Sequence, residues 1–319
     1  MSDDRAIAGS PSEPGTGAGP SRGGIVDGHV HLFTLPLVQE WARGAQVPER
    51  VRQAAKNGSW NRRGKQRRLP DLGPEDAARW YADRLDEAGV AQAVVMSVVP
   101  DSQYMRDFVA AGAGRLFACA NIDPRLPDAP ERLEAELAAG FRGVKLLPVN
   151  RRYRLSAPEC RPFFEKAQEL AATIVIHYGV TVDPHGDLRY ADPIDLSPVA
   201  RDHPGIQFVI AHFGAGYLEQ VLRLAYQCKN VHVDTSGTNN WLDFQAAFRS
   251  LRDVFERTLA ALGPERIVFG TDANTTGPYR DWIKNQQVGL LDEIGLSAAE
   301  KELILRANAV RLFRLDRDD

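Results

Sequence analysis

The sequence predicts an α/β protein, a single (β/α)8 barrel of the TIM type with an extended loop after its first strand. Three observations lead there. From Ile25 onward, short β-branched runs alternate with amphipathic stretches, the pattern of βαβ units and a parallel sheet. Eight such runs occur, at 25–32, 93–99, 115–122, 142–147, 173–178, 207–212, 231–235 and 266–271. Finally, the first, fourth, fifth, sixth and eighth runs carry chemistry-bearing residues at or near their ends. A closed barrel gathers such groups at one mouth, whereas an open, doubly wound sheet leaves them apart. With 44% hydrophobic residues, the 319-residue chain has material for a large core.

Residues 1–24, MSDDRAIAGSPSEPGTGAGPSRGG, bury too little to offset the entropy of ordering and read as a disordered tail. They lack the charged start and apolar middle of a secretory signal. The barrel then spans 25–319. Its first strand, IVDGHVHL, is followed by about forty residues before the helix at Pro74, far longer than an ordinary βα loop. This insertion holds a short helix near 36–43, the aromatics Trp41 and Trp60, and the run NRRGKQRR with Arg62, Arg63, Lys65, Arg67 and Arg68. A long loop on the carboxyl face of a barrel suits a lid or an anion-recruiting element, while a solvated charged loop is the plainer alternative. Helices are expected at 74–88, 130–139, 158–171, 216–228 and 244–261. Pro74 opens the first of these and Gly89 follows its end, the usual start and stop asymmetry. A last helix starts at Ser297, where Glu300 completes a capping box, and runs through ILRANAVRLF.

Lys+Arg 39 against Asp+Glu 42 leaves a net charge of −3, so nothing points to nucleic acid or an anionic membrane surface as partner. No apolar run approaches the ~20 residues of a membrane span. Cys119, Cys160 and Cys228 are far apart and outside any CxxC spacing, as expected for reduced thiols of a cytoplasmic protein. Nothing in the sequence decides whether like chains assemble into a homo-oligomer.

His29 and His31, two apart in a strand, point to the same face and form two legs of a metal site. Asp27 shares their parity and suits structural support. His177 and His212 close apolar strands before glycine-containing turns, and Asp272 ends IVFGTD. Unpaired polar groups are costly in such apolar contexts, so a shared purpose explains them better than separate core roles. Lys145, in GVKLLP, is expensive as a buried cation. It is either salt-bridged or deprotonated and able to form a carbamate that bridges two ions. Asn150, Arg151, Arg152 and Tyr153 follow the fourth strand, where an arginine suits a carboxylate or phosphate. Tyr178 is placed to donate to a developing oxyanion, and Asn274 to orient Asp272. His185, His203 and His232 fit no ligand position, although His185 lies in a loop that can reach substrate.

In this order, GHVH, GVKLLP, HYG, HFG and GTDAN resemble the amidohydrolase superfamily. LDEAGV, PVARDHPGIQFVIAHFG and NAVRLF are similar to its amidohydrolase-2 branch, which includes decarboxylases. The resemblance covers nearly everything from Ile25 to Leu315. It implies one divalent ion on His29, His31, His177 and Asp272, with His212 as a catalytic group. In its two-ion form it implies a carboxylated Lys145 as bridge, with His177 and His212 on the second ion. Zinc suits the nitrogen-rich donors best, with manganese or iron as alternatives.

The expected activity is hydrolysis of an amide, lactone or ester in a small anionic molecule. Water is activated near neutral pH, and Asp272 and His212 handle its proton. The alternatives are non-oxidative decarboxylation of an aromatic or muconate-type acid, oxygen activation if the site takes iron, and a non-catalytic small-molecule binder.

Overall fold

The computed structural model describes residues 24–44, 47–62 and 65–316. The tail expected over 1–24 lies outside them except for Gly24, as do Arg63 and the side chains of Arg62 and Lys65. Parallel strands β1 (Ile25–His31), β2 (Val90–Met96), β3 (Leu116–Asn121), β4 (Val144–Leu146), β5 (Thr173–Ile176), β6 (Gln207–Ile210) and β7 (Val231–Asp234) pair in sequence order. The eighth position is split. Ile267–Val268 pairs with β7, and Ala273–Asn274 pairs with β1. Together they form β8 and close the barrel.

Strand parity sorts the core. Ala93 and Val95 of β2, Val144 and Leu146 of β4, and Ile174 and Ile176 of β5 pack outward into the large cluster beneath the helices. Val94, Met96, Phe117, Cys119, Val175 and Val209 fill the interior, which Ala309, Leu312 and Phe313 of the last helix plug. The helix Pro74–Ala88 buries Ala77, Tyr81, Leu85 and Ala88, one stripe at helical spacing, and Gly89 ends it in the left-handed region. Deleting the fully buried Leu85 side chain would cost about 2–5 kcal/mol.

Several boundaries differ from expectation. Strand β2 begins at Val90 rather than 93, because Gly89 turns the chain straight from helix into sheet. The helix expected over 244–261 is two pieces. A short turn at Asn240–Phe244 precedes Leu251–Leu262, which starts where Ser250 and Asp253 form a capping box. The capping box at Ser297 and Glu300 is present.

The insertion after β1 folds as helix Leu35–Ala42, helix Glu49–Asn57 and an antiparallel hairpin of Ser59–Arg62 with Lys65–Arg68. Val38, Val51, Ala54 and Leu69 give it a small core of its own, flanked by Phe33, Trp41 and Trp60. Arg50 ties it to the loop after β5 through Asp183 at 2.7 Å. Among the described residues no helix is long and apolar enough to cross a membrane.

Candidate metal centre at the barrel mouth

The carboxyl ends of the strands open into a cleft of about 1790 Å³ whose floor includes His31, Lys145, His177, His212 and Asp272. Each reaches it for a local reason. His29 and His31 sit on the inward parity of β1, and Lys145 lies between outward-facing Val144 and Leu146. His177 follows inward-facing Val175 by two. His212 and Asp272 leave their strands with φ of 59° and 56°, left-handed values uncommon for residues with a Cβ. The HYG and HFG turns pack together. A Cβ on Gly179 (φ +79°) would lie 2.1 Å from the Gly214 carbonyl, so that position requires glycine.

Hydrogen-bond partners fix three of the imidazoles. His29 Nδ1 donates to Asp234 Oδ2 at 2.7 Å, and His31 Nδ1 to the Met96 carbonyl at 2.9 Å. Ser236 Oγ donates to Asp234 Oδ1 at 2.5 Å, so it accepts from His212 Nδ1 at 2.7 Å. Carboxylates and carbonyls only accept, so in each ring Nδ1 holds the proton and Nε2 keeps a lone pair. The His29 Nε2 is buried with no partner in the protein. The His31 Nε2 faces Asp272 Oδ1 at 3.2 Å, lone pair against carboxylate when the ring is neutral. A cation between them resolves both facts, so the donor set fits a divalent metal.

Among the described residues, converging ligand atoms within 4.8 Å of one another form two groups, His29–His31–Asp272 and His29–His212–Asp234. His177 joins neither. Its ring lies 5.0 Å from that of His212, and its Nε2 donates to the Val180 carbonyl at 3.3 Å.

Electrostatics agree with neutral imidazoles and charged carboxylates. Burial pushes His29 down to about 3, with the Lys145 charge assisting. Burial also lowers His177 and His212. It would raise Asp272, but His31, His212 and Arg280 hold that carboxyl well below the usual range. Asp234 is likewise held low against its burial by His29, His212 and Lys145. Lys145 is fully buried, its amine has no hydrogen-bond partner, and burial brings it down to about 8.

Substrate-side residues separate by parity and loop geometry. Arg151 lines the cleft and donates to Asn121 Oδ1. Asn150 lines it too, bonded to Asp183 at 3.0 Å. Two expectations are corrected. Arg152 is the left-handed C-cap of the short helix Pro148–Arg151 and points outside the cleft, donating to the His185 carbonyl at 3.0 Å. Tyr178 shares outward parity with Ile176 and is fully buried beneath the helices, its hydroxyl 3.5 Å from Asp195. It does not face the cleft. Asn274 lines the mouth, but its Oδ1 accepts from Thr276, whose hydroxyl lies at 2.6 Å. His185 lines the outer rim. His203 bonds the Val199 carbonyl and His232 bonds Gln207, both as structural groups. Asp27 braces the closing strand through Thr271 and Tyr279.

Sequence reasoning missed Asp234, Ser236 and Arg280. The last donates to Asp272 Oδ2 at 3.0 Å. The available signal was VHVDTSG, a strand ending in a carboxylate at the same level as the other strand-end ligands.

Residues 26–315 match the family model described as amidohydrolase. A gamma-resorcylate decarboxylase from Rhodococcus jostii (strain RHA1) is 30% identical over 190 residues, 50% of this chain and 55% of that protein. The chain thus spans about half the length of that curated relative. Among solved structures, a protein assigned as a 2-pyrone-4,6-dicarboxylic acid hydrolase from Pseudomonas putida superposes with a TM-score of 0.63 at 20% identity, covering 92% of this chain and 99% of that one. An amidohydrolase from Burkholderia multivorans with bound zinc gives 0.60 at 16% identity, again covering 92% and 99%. These structural likenesses carry the barrel fold.

Proposed function

The chain belongs to the amidohydrolase family, and from that premise we propose that it is a metal-dependent hydrolase opening an amide, lactone or ester bond in a small anionic molecule. The observation that carries the reading is the set of three imidazoles whose protons are all fixed on Nδ1, so that their Nε2 lone pairs remain for the centre. His29, His31 and Asp272 would hold the ion, and Lys145, if carboxylated on its buried amine, would supply the oxygen ligands for a second beside His177 and His212. A bound divalent cation supplies Lewis acidity, lowering the pKa of water and polarising a carbonyl. Zinc suits these donors best.

The remaining work falls to side chains. Arg151 has no carboxylate within ion-pair distance among the described residues, whereas neighbouring Arg125 is neutralised by Asp123 at 2.6 Å. Arg151 is therefore the cation left to fork onto a substrate carboxylate. Phe33, Trp60 and Trp41 form a wall beside His31, with Phe33 5.9 Å from His31 ring to ring and the indoles stacked at 6.2 Å. A planar substrate would lie against it. The lone pair on His212 Nε2 takes a proton from the attacking water while Ser236 steadies the opposite nitrogen. His212 then returns that proton to the leaving group, while Asp272, steadied by Arg280, stays an ionised carboxylate.

A second reading, decarboxylation of a planar acid, is favoured by the Rhodococcus relative and the aromatic wall. Turnover in isotopically labelled water separates the two. One solvent oxygen in the product supports hydrolysis. Carbon dioxide release, with a solvent hydron on carbon and no oxygen incorporated, overturns it in favour of decarboxylation.

A further inference from the structure

We infer that Asp234 is the shared positioning residue of the centre, holding His29 as a ligand with one oxygen and His212 as a base with the other. This rests on the reading above only for the role of His212. The end of β7 places the carboxylate between the two rings, and it is almost completely buried. Its Oδ2 accepts from His29 Nδ1 at 2.7 Å. Its Oδ1 accepts from the His212 amide at 2.9 Å, the Ser236 amide at 3.0 Å and the Ser236 hydroxyl at 2.5 Å. Three of these donors converge on Oδ1 and the fourth, His29 Nδ1, on Oδ2, so both oxygens are engaged in orienting the rings. Its atoms lie within ligand range of His29 and His212.

The two arms are chemically distinct. The Oδ2 arm fixes the His29 proton on Nδ1 and frees Nε2 for the metal. The Oδ1 arm runs through the Ser236 hydroxyl to His212 Nδ1, which donates to the Ser236 carbonyl at 3.1 Å as well, and Nε2 of that ring is left unprotonated. Asparagine at 234 distinguishes this arrangement from a packing role. Two backbone N–H groups require an oxygen at the Oδ1 position, so the amide NH2 must take the Oδ2 position and face His29 Nδ1. A donor there reverses the His29 tautomer and moves its proton to Nε2, the nitrogen aimed at the centre.

The test is ¹⁵N NMR of histidine tautomers in the full-length, metal-free chain, with zinc affinity measured by chelator competition. Asp234→Asn should shift His29 to the Nε2–H form and weaken zinc about 10–100-fold, the usual cost of losing such a partner. Ser236→Ala should perturb the His212 Nδ1–H signal, leave that of His29 in place and hold zinc affinity within about 3-fold. Ser236→Thr, which keeps the hydroxyl, should restore the His212 signal. The inference is overturned if Asp234→Asn retains the Nδ1–H tautomer of His29 with unchanged zinc affinity. It is equally overturned if Ser236→Ala weakens zinc as much as Asp234→Asn does. Because both readouts are independent of turnover, a protein without hydrolase activity would refute the proposed reaction and leave this result standing.

Discussion

Replacing Gly270 by alanine tests how tightly the barrel wall holds the centre. Gly270 is buried in the break of β8, and a Cβ there would lie 2.9 Å from His29 Cβ, 3.0 Å from Ser236 Cβ and 3.3 Å from the His29 nitrogen. Ordinary van der Waals contact begins at 3.4 Å, so β1 and the end of β7 must part by about half an ångström. None of those atoms is the free end of a flexible side chain. Forcing a methyl into a packed layer costs about 1–3 kcal/mol, and the stiffer unfolded chain offsets about 0.4–1 of it. A net loss of about 1–2 kcal/mol, a melting shift of about 1–3 °C for a chain of 319 residues, is expected. Zinc binding should weaken as well, because the two displaced residues are His29, a proposed ligand, and Ser236, which bonds His212. Gly289→Ala is the control. Nothing lies within 4 Å of a Cβ on this helical residue, so it should stabilise by about 0.5–1 kcal/mol. Thermal unfolding with chelator, and zinc competition without it, read the two effects separately. A Gly270→Ala protein that melts at the wild-type temperature and binds zinc as tightly would refute the reasoning.

Arg151→Met should raise KM for an anionic substrate about 10–100-fold, the worth of one charge-assisted hydrogen bond, with a smaller change in kcat. The lost bond to buried Asn121 Oδ1 opposes the gain from removing a half-buried cation, so the melting temperature should change little, and an unchanged KM would place the substrate's anion elsewhere. Lys145 titrates near 8 in the folded chain and near 10.5 when unfolded. On this lysine the unfolded chain holds more protons between these values, so its own contribution to the stability of the metal-free protein rises from about pH 8 to 10.5, by on the order of 3 kcal/mol, against the opposite contribution of the Cys119 and Cys160 thiols, which burial pushes up to about 12. Lys145→Met should lack that rise in pH-dependent denaturation, and the same rise in the variant would exonerate the lysine. Chelation of protein equilibrated at a hundred times the metal Kd should cost about 2.7 kcal/mol of stability. A melting temperature indifferent to chelator would mean that the centre holds no ion.

The strands were legible because their inward and outward residues are both apolar, which leaves unbroken β-branched runs in the sequence. The same double burial hid the faces. Tyr178 stands beside His177, and only the parity set by Val175 shows that it points to the helices. Arg151 and Arg152 read alike until the left-handed cap at Arg152 separates them. The proposed ligands His29, His31 and Asp272 announced themselves as polar residues in apolar contexts. Asp234 did the same, yet its importance depends on where Oδ1 and Oδ2 find donors, and those donors come from β1, from the turn after β6 and from Ser236 just beyond β7. The helix Glu49–Asn57 carried a weak signal because its apolar positions Val51 and Ala54 pack within the insertion rather than on the barrel.

The break in β8 has a consequence for how the chain reaches its working form. Asp272 takes its position only when the last strand meets the first, across bonds such as Thr271 to Asp27 that span 244 residues. A chain that ends before Ile267 would have seven strands, with β1 and β7 each presenting an unpaired edge open to any neighbouring strand. It would hold all seven histidines and lack Asp272. Closure therefore seals two adhesive edges and delivers the Asp272 carboxylate to the mouth in one event, so an incomplete molecule is prone to aggregate before its cleft is complete.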